Sequence, residues 1–332
     1  MVTFRKSIIL IITVSLLIAS GLTSKYLLEL YKATKKTQRM ENLQHSPLSG
    51  KQRPDWSPII TSRPNANPIK IGHRGASNYA PENTLASIQT AIELGIDYVE
   101  IDVRYTSDGV PILFHDKLLH RTTDGVGLVK NKSLAELQKL DAGSWFDEEF
   151  KGTQVPTLKD ALALIKGNAC LLWHIKSTVK PKAIELIRKF SPDGDCLLIS
   201  MPVLIGVINP EDPLATRGVL NPEDLAVFAE HWPDAPMLPS IGQAGDIPRL
   251  LEQYPSAVAV MVRPGMATVD VIDAAHKVGL LVIVRLPEQL DNAEHYKKVL
   301  DAGVDGIFMD NFDLLDAYLN NQPQNFNAMP ED

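Results

Sequence analysis

A (β/α)8 TIM barrel is the fold that the sequence predicts, and three observations predict it. From Ile69 the chain alternates short apolar runs with amphipathic stretches such as "TLASIQTAIELG" and "TVDVIDAAHKVG", the pattern of a parallel sheet covered by helices. Nine strands are expected, at 69–73, 97–104, 110–115, 169–175, 195–200, 215–220, 257–262, 280–285 and 306–309. The second and third are joined by "TSDGV", where Asp-Gly marks a two-residue hairpin turn. The third strand then folds back as a hairpin excursion, and eight parallel strands remain. Finally, imidazoles and charges recur where strands end, which is where barrels of this type carry their sites.

The segments outside the barrel come first in the chain. Residues 1–24 read as a transmembrane anchor or signal segment. The run "SIILIITVSLLIASGLTS", Ser7 to Ser24, is uncharged, and as a helix it spans about 27 Å, just short of a ~30 Å hydrocarbon core. Small residues Ala19-Ser20-Gly21 suit a signal-peptide cleavage point, whereas the apolar "YLLEL" that follows favours an uncleaved anchor. Residues 25–66 form a linker, basic at first and then rich in Pro, Ser and Asn. The barrel is expected over 67–320, with a flexible tail at 321–332. Sidedness is open. Lys25, Lys32, Lys35, Lys36 and Arg39 outnumber Arg5 and Lys6, which puts the body in the cytoplasm. The short basic start favours export instead.

Charge divides the chain in the same place. Residues 1–53 hold nine Lys/Arg against two Glu, while residues 54–332 hold 24 Lys/Arg against 38 Asp/Glu. An acidic body argues against nucleic acid as a partner, because phosphate backbones need a basic footprint. A basic segment beside an apolar run points to a membrane. The two cysteines, Cys170 and Cys196, lie in apolar runs and read as buried thiols rather than a disulfide.

Within the barrel, "IKIGHRGASNYAPENT" runs an apolar strand into His73-Arg74 between two glycines. A basic pair there suits an anion, and a capped turn explains it equally. Strand two, "DYVEIDVRY", puts Glu100, Asp102 and Arg104 on one face and Val99, Ile101 and Val103 on the other. Three charges on one face of a central strand are costly unless paired or bound to a cation. With Asp108-Gly109 as the turn, Ser107 pairs with Val110 and Asp102 with His115, which brings that imidazole beside the carboxylates. In "CLLWHIK", His174 and Lys176 share a parity and face the same mouth. Two carboxylates to hold a divalent ion, a His73/His115 pair to move protons and Arg74 to bind an anion suit metal-assisted attack on a phosphate.

These residues lie in motifs that resemble the glycerophosphodiester phosphodiesterase family: "HRGASNYAPENTL", "YVEIDVRYTSDGVPILFHD", "LHRTTDGVG" and "DAGSWF…FKG…VPTL", in order from about residue 70 to 165. The resemblance implies a (β/α)8 barrel that uses a divalent cation to hydrolyse glycerophosphodiesters to glycerol 3-phosphate and an alcohol; with the apolar N-terminal run, a lysophospholipid headgroup, giving a lysophosphatidic acid-like product, is also expected as a substrate. It makes His73 and His115 the acid/base pair, Arg74 phosphate-binding, and Glu100 and Asp102 metal ligands; Lys176, at the same mouth by strand parity, reads as a second phosphate-binding cation. Glu82 of "PENT" also matches, and a charge in the first turn of a helix accounts for it equally well.

The sequence departs from the family from strand four onward. The usual acid there, a third metal ligand, is His174, read either as a ligand or as a neutral pocket residue. Imidazole suits Zn²⁺ or Mn²⁺ better than Mg²⁺ or Ca²⁺, so the identity of the single ion is open. Ser-Phe after strand five reads "ISMP", Thr-Val-Asn after strand eight reads "IVRLPEQ" with Arg285 near the Asn position, and the final Thr-Asp reads Met309-Asp310. A barrel that binds headgroups or a protein partner without turnover is the alternative.

Overall fold

The strands form because apolar residues alternate between two covered faces, one turned to the barrel axis and one to the helices. The computed structural model describes residues 67–191, 196–205, 222–254 and 256–320. The strands are β1 (Ile69–Gly72), β2 (Tyr98–Tyr105), β3 (Pro111–Leu113), β4 (Cys170–Ile175), β5 (Leu197–Ile205), β6 (Met237–Ile241), β7 (Ala259–Val262), β8 (Leu281–Arg285) and β9 (Gly306–Met309). All pair in parallel except β3, which runs antiparallel on β2. A β1–β2 pairing closes the ring in the order β1-β2-β4-β5-β6-β7-β8-β9. Ile69, Ile71, Tyr98, Leu172, Leu198, Leu238, Ile283 and Phe308 fill the axis. Their neighbours, among them Val99, Ile101, Trp173, Val260, Val282 and Ile307, pack outward against the helices.

Three expectations change. The sixth strand in the chain is Met237–Ile241, whereas the strand expected at 215–220 lies outside the described residues. "MLPSI" is short and carries Pro239, and proline removes a ladder donor, so it does not read as a central strand. The β5–β6 register shifts between Ser200 and Leu204, where the ladder accommodates it.

The β2–β3 hairpin also differs by one residue. Val103 pairs with Leu113 and Arg104 with Ile112, and the Phe114 amide donates to the Asp102 carbonyl, so His115 is not opposite Asp102. The turn holds three residues, Ser107 to Gly109. Thr106 N donates to Val110 O, and Gly109 takes φ +78°. A glycine in the left-handed region supplies the third position of such a turn, and that extra residue moves the register.

Cys170 and Cys196 are joined as a disulfide, not free thiols. They precede Leu171 and Leu197, which are register partners on adjacent parallel strands, so the two Cα atoms lie 4.7 Å apart. A spacing of 26 residues is one strand–helix unit, which brings equivalent positions side by side. Lastly, the anchor or signal segment, the linker and the tail lie outside the described residues, and among the described residues no helix is long and apolar enough to cross a membrane.

Candidate active site

The turn after β1 is locked onto β2. Arg74 adopts φ +54° and Gly75 φ +85°. This bend lets the Arg74 amide donate to Glu100 Oε2 at 2.6 Å and the Gly75 amide to the Glu100 carbonyl at 3.0 Å. The Arg74 carbonyl accepts from the Ser87 hydroxyl and the Asn83 amide, which ties the turn to helix α1 (Leu85–Glu93). A side chain at Gly75 would meet Ser87 Oγ at 2.2 Å, so glycine is required by both space and backbone.

Glu100, Asp102 and His174 converge. Their ligating atoms lie within 4.8 Å of one another, with both carboxylates fully buried. His174 Nδ1 is 3.2 Å from Glu100 Oε1 and 3.4 Å from Asp102 Oδ1. Asp102 Oδ1 and His174 Nε2 are buried without a hydrogen-bond partner. Buried lone pairs without donors are costly, and a cation satisfies several at once. The donor set therefore fits a divalent ion. Burial, with Asp102 beside it, raises the Glu100 carboxyl above the usual range. Burial also opposes ionisation of Asp102, but the charges of Lys176 and Arg74 outweigh it and hold that carboxyl down. Burial and Lys176 lower His174 to about 3, which keeps its imidazole neutral and able to ligate.

Two further imidazoles face this cluster. His73 Nδ1 is 2.7 Å from Asp310 Oδ1, and its Nε2 is 3.1 Å from Arg285 Nη2. A guanidinium only donates, so in this arrangement Nε2 accepts and Nδ1 carries the proton towards Asp310. His115 sits beyond the end of β3, where strand parity no longer applies, with Nδ1 2.5 Å from Asp116 Oδ1. Burial lowers His115 to about 4, against the pull of Asp102. The pair expected from sequence is thus present at the mouth, although the register argument that placed His115 there does not hold.

The cations divide into paired and free. Arg74 Nη1 bonds Glu82 at 2.7 Å and its Nε lies 3.3 Å from Asp102, so it braces the carboxylates as well as facing the mouth. Lys176 Nζ lies 3.4 Å from Asp102 Oδ1. Glu82 also takes Arg121 through both oxygens, which docks the segment after β3 onto the turn after β1. Burial resists its ionisation, but Arg121 and Arg74 prevail and its carboxyl is lowered. Arg104 is withdrawn from the ionic cluster and donates to the His115 and Lys176 carbonyls. Asn83, Asp116, Arg121 and Asp310 were not singled out as site residues by sequence. Asn83 donates to Asp102 Oδ2 at 2.8 Å and accepts from the Asp102 amide at 3.0 Å. Its only signal was its place in "PENT".

Comparisons with known proteins agree with this geometry. The model of the glycerophosphoryl diester phosphodiesterase family matches residues 73–193. A glycerophosphodiester phosphodiesterase of Caldanaerobacter subterraneus subsp. tengcongensis is 31% identical over 254 residues, covering 73% of this chain and 93% of that one. One from Bacillus subtilis is 30% identical over 267 residues, covering 74% and 84%. The chain belongs to the glycerophosphodiester phosphodiesterase family. Members of this family are phosphoric diester hydrolases. The chain spans 47% of the length of a further Bacillus subtilis relative, 44% identical over 115 residues. Among solved structures, a phosphodiesterase from Oleispira antarctica in complex with the product sn-glycerol 3-phosphate aligns with a TM-score of 0.61 at 27% identity, covering 75% of this chain and 96% of that one.

Proposed function

We propose that the chain hydrolyses glycerophosphodiesters to glycerol 3-phosphate and an alcohol, with His73 and His115 moving the protons. The observation that carries this is the pair of imidazoles, each with Nδ1 held by a carboxylate, beside the Glu100/Asp102/His174 cluster. A module that only binds has no use for two such groups. Glu100, Asp102 and His174 would hold a divalent ion, which when bound polarises a phosphoryl oxygen. Asp310 and Asp116 fix the two rings so that each Nε2 exchanges the proton, one taking it from the attacking water and the other giving it to the leaving oxygen. Lys176 and the Arg74 guanidinium bind the phosphate oxygens.

The same proposal includes residues 1–24 as a membrane anchor, with the barrel on an oxidising side. The Cys170–Cys196 bridge supports this side, because disulfides persist where thiols are not kept reduced.

The test is release of glycerol 3-phosphate by the full chain, stripped of metal and then given a divalent ion. Ion-dependent release is expected, and His73→Ala and His115→Ala each lower turnover by roughly 10²-fold or more. Near-normal rates in either folded variant remove that residue from the chemistry.

A further inference from the structure

Two inward-facing arginines meet no carboxylate in the arrangement above, although one of them, Arg285, donates to His73. Arg285 ends β8 two residues after Ile283, whose side chain packs on the barrel axis, so it shares that face. Its guanidinium lies over the Phe308 ring, 5.3 Å from the centroid, and reaches His73 Nε2. Arg263 follows Met261, which also packs on the axis, and it keeps an extended backbone at φ −79° and ψ 156°. Val262 pairs with Val284, so one residue further on Arg263 and Arg285 stand side by side on adjacent strands. Among the described residues neither forms an ion pair with a carboxylate. Asp310 feels the Arg285 charge, but its Oδ1 is taken by His73 and Ser77.

Like charges at directly opposed positions repel, and an anion between them removes the penalty. Their place in the ring says which anion. β5 and β6 separate the β2–β4 pair from β7–β8 on one side, and β9 and β1 separate them on the other. The arginines therefore face the metal-ligand cluster from across the mouth, with His73 between. A phosphodiester carries a single negative charge, and a divalent ion with Lys176 and Arg74 already meets it. The two arginines are left facing whatever is esterified on the His73 side of the phosphate.

We infer that Arg263 and Arg285 form a second anion subsite, selecting phosphodiesters whose substituent on the His73 side carries a carboxylate or a second phosphate. This rests on the hydrolysis proposed above. The chemistry is shared by an amino-acid headgroup and by a phosphate-extended glycerol chain, and two substrate pairs separate them. Glycerophosphoserine differs from glycerophosphoethanolamine by one carboxylate, and bis(glycerophospho)glycerol differs from glycerophosphoglycerol by one phosphodiester arm.

The expected result is a preference of about tenfold or more in kcat/KM for the charged member of at least one pair, the size of one charge-assisted hydrogen bond. Arg263→Gln and Arg285→Gln, both exposed positions, then bring that ratio towards one by slowing the charged substrate more than its partner. Ratios near one in both pairs for the wild type overturn the inference. So does an Arg263→Gln variant that slows every substrate equally, since Arg263 does not touch His73 and a uniform loss there puts it on the reacting phosphate. If none of the four is hydrolysed, the proposed activity has failed, and calorimetric binding of O-phosphoserine against phosphoethanolamine to the full chain decides the subsite separately. Equal binding overturns it, and a preference for phosphoserine that both variants abolish supports it.

Discussion

Replacing Asp310 by Asn removes one negative charge beside His73 and keeps the shape of the side chain. In the native arrangement Asp310 Oδ1 accepts the His73 Nδ1 proton at 2.7 Å and the Ser77 hydroxyl at 2.9 Å, at a site where both partners of the ion pair are 15% exposed. A hydrogen bond to a charged group in such a place is worth about 1.5–3 kcal/mol. At ~1.4 kcal/mol per decade of rate, that is roughly a 10- to 100-fold loss of kcat. An amide can also turn its NH2 towards Nδ1, which moves the ring proton to Nε2 and puts the wrong tautomer at the mouth, so the loss should lie towards the larger figure. The fold should not suffer, because the Asp310 and Asn311 amides are held by Asp291 Oδ2 at 3.0 and 2.7 Å whatever stands at side chain 310. The assay is steady-state release of glycerol 3-phosphate beside a thermal melt. Expected are a lower kcat, a KM changed by less than about threefold and an unshifted melt. A kcat within about threefold of wild type, in a variant that melts normally, refutes the claim that Asp310 positions His73.

The remaining predictions concern the metal cluster and the disulfide. With His174 beside two carboxylates, metal-stripped protein should bind Zn²⁺ or Mn²⁺ more tightly than Mg²⁺ or Ca²⁺ by calorimetry, and His174→Glu should move that ranking towards the hard ions. An unchanged ranking removes His174 from the ligand set. Thiol titration of unreduced, denatured protein should find none. By the loop-entropy relation a bridge across 26 residues is worth about 3.5 kcal/mol. Cys170→Ser should therefore lower the melting temperature by about 7 °C, and a shift of under about 2 °C shows that the bridge does not constrain the unfolded chain as that relation requires.

Much of the site was legible because it lies within continuous motifs. Glu100, Asp102, His174 and Lys176 each follow from alternation along one strand, and strand parity is a local property of the backbone. The β7–β9 strands were equally readable as apolar runs of ordinary length between helices. The hairpin was harder. "TSDGV" announces a turn, but a two-residue and a three-residue loop share that signature, and only the ladder hydrogen bonds of Val103 and Arg104 select between them. β6 was lost for another reason: Pro239 breaks the pattern of a central strand, and the neighbouring β5 adjusts its register to admit it.

By itself the sequence determined that charged residues at strand ends gather at one mouth of a parallel barrel, since alternation and the order of strands and helices are written along the chain. It did not determine who pairs with whom across the ring. His73 meets Asp310 and Arg285 more than 200 residues away because β1, β9 and β8 are neighbours once the barrel closes. Cys170 meets Cys196 for the same reason, one strand over. Asn83, marked in the sequence only by its place in "PENT", secures Asp102 because the turn after β1 folds back on β2. Each of these contacts joins positions that share no local pattern, and closure of the sheet, which is a property of all eight strands together, is what brings them within reach.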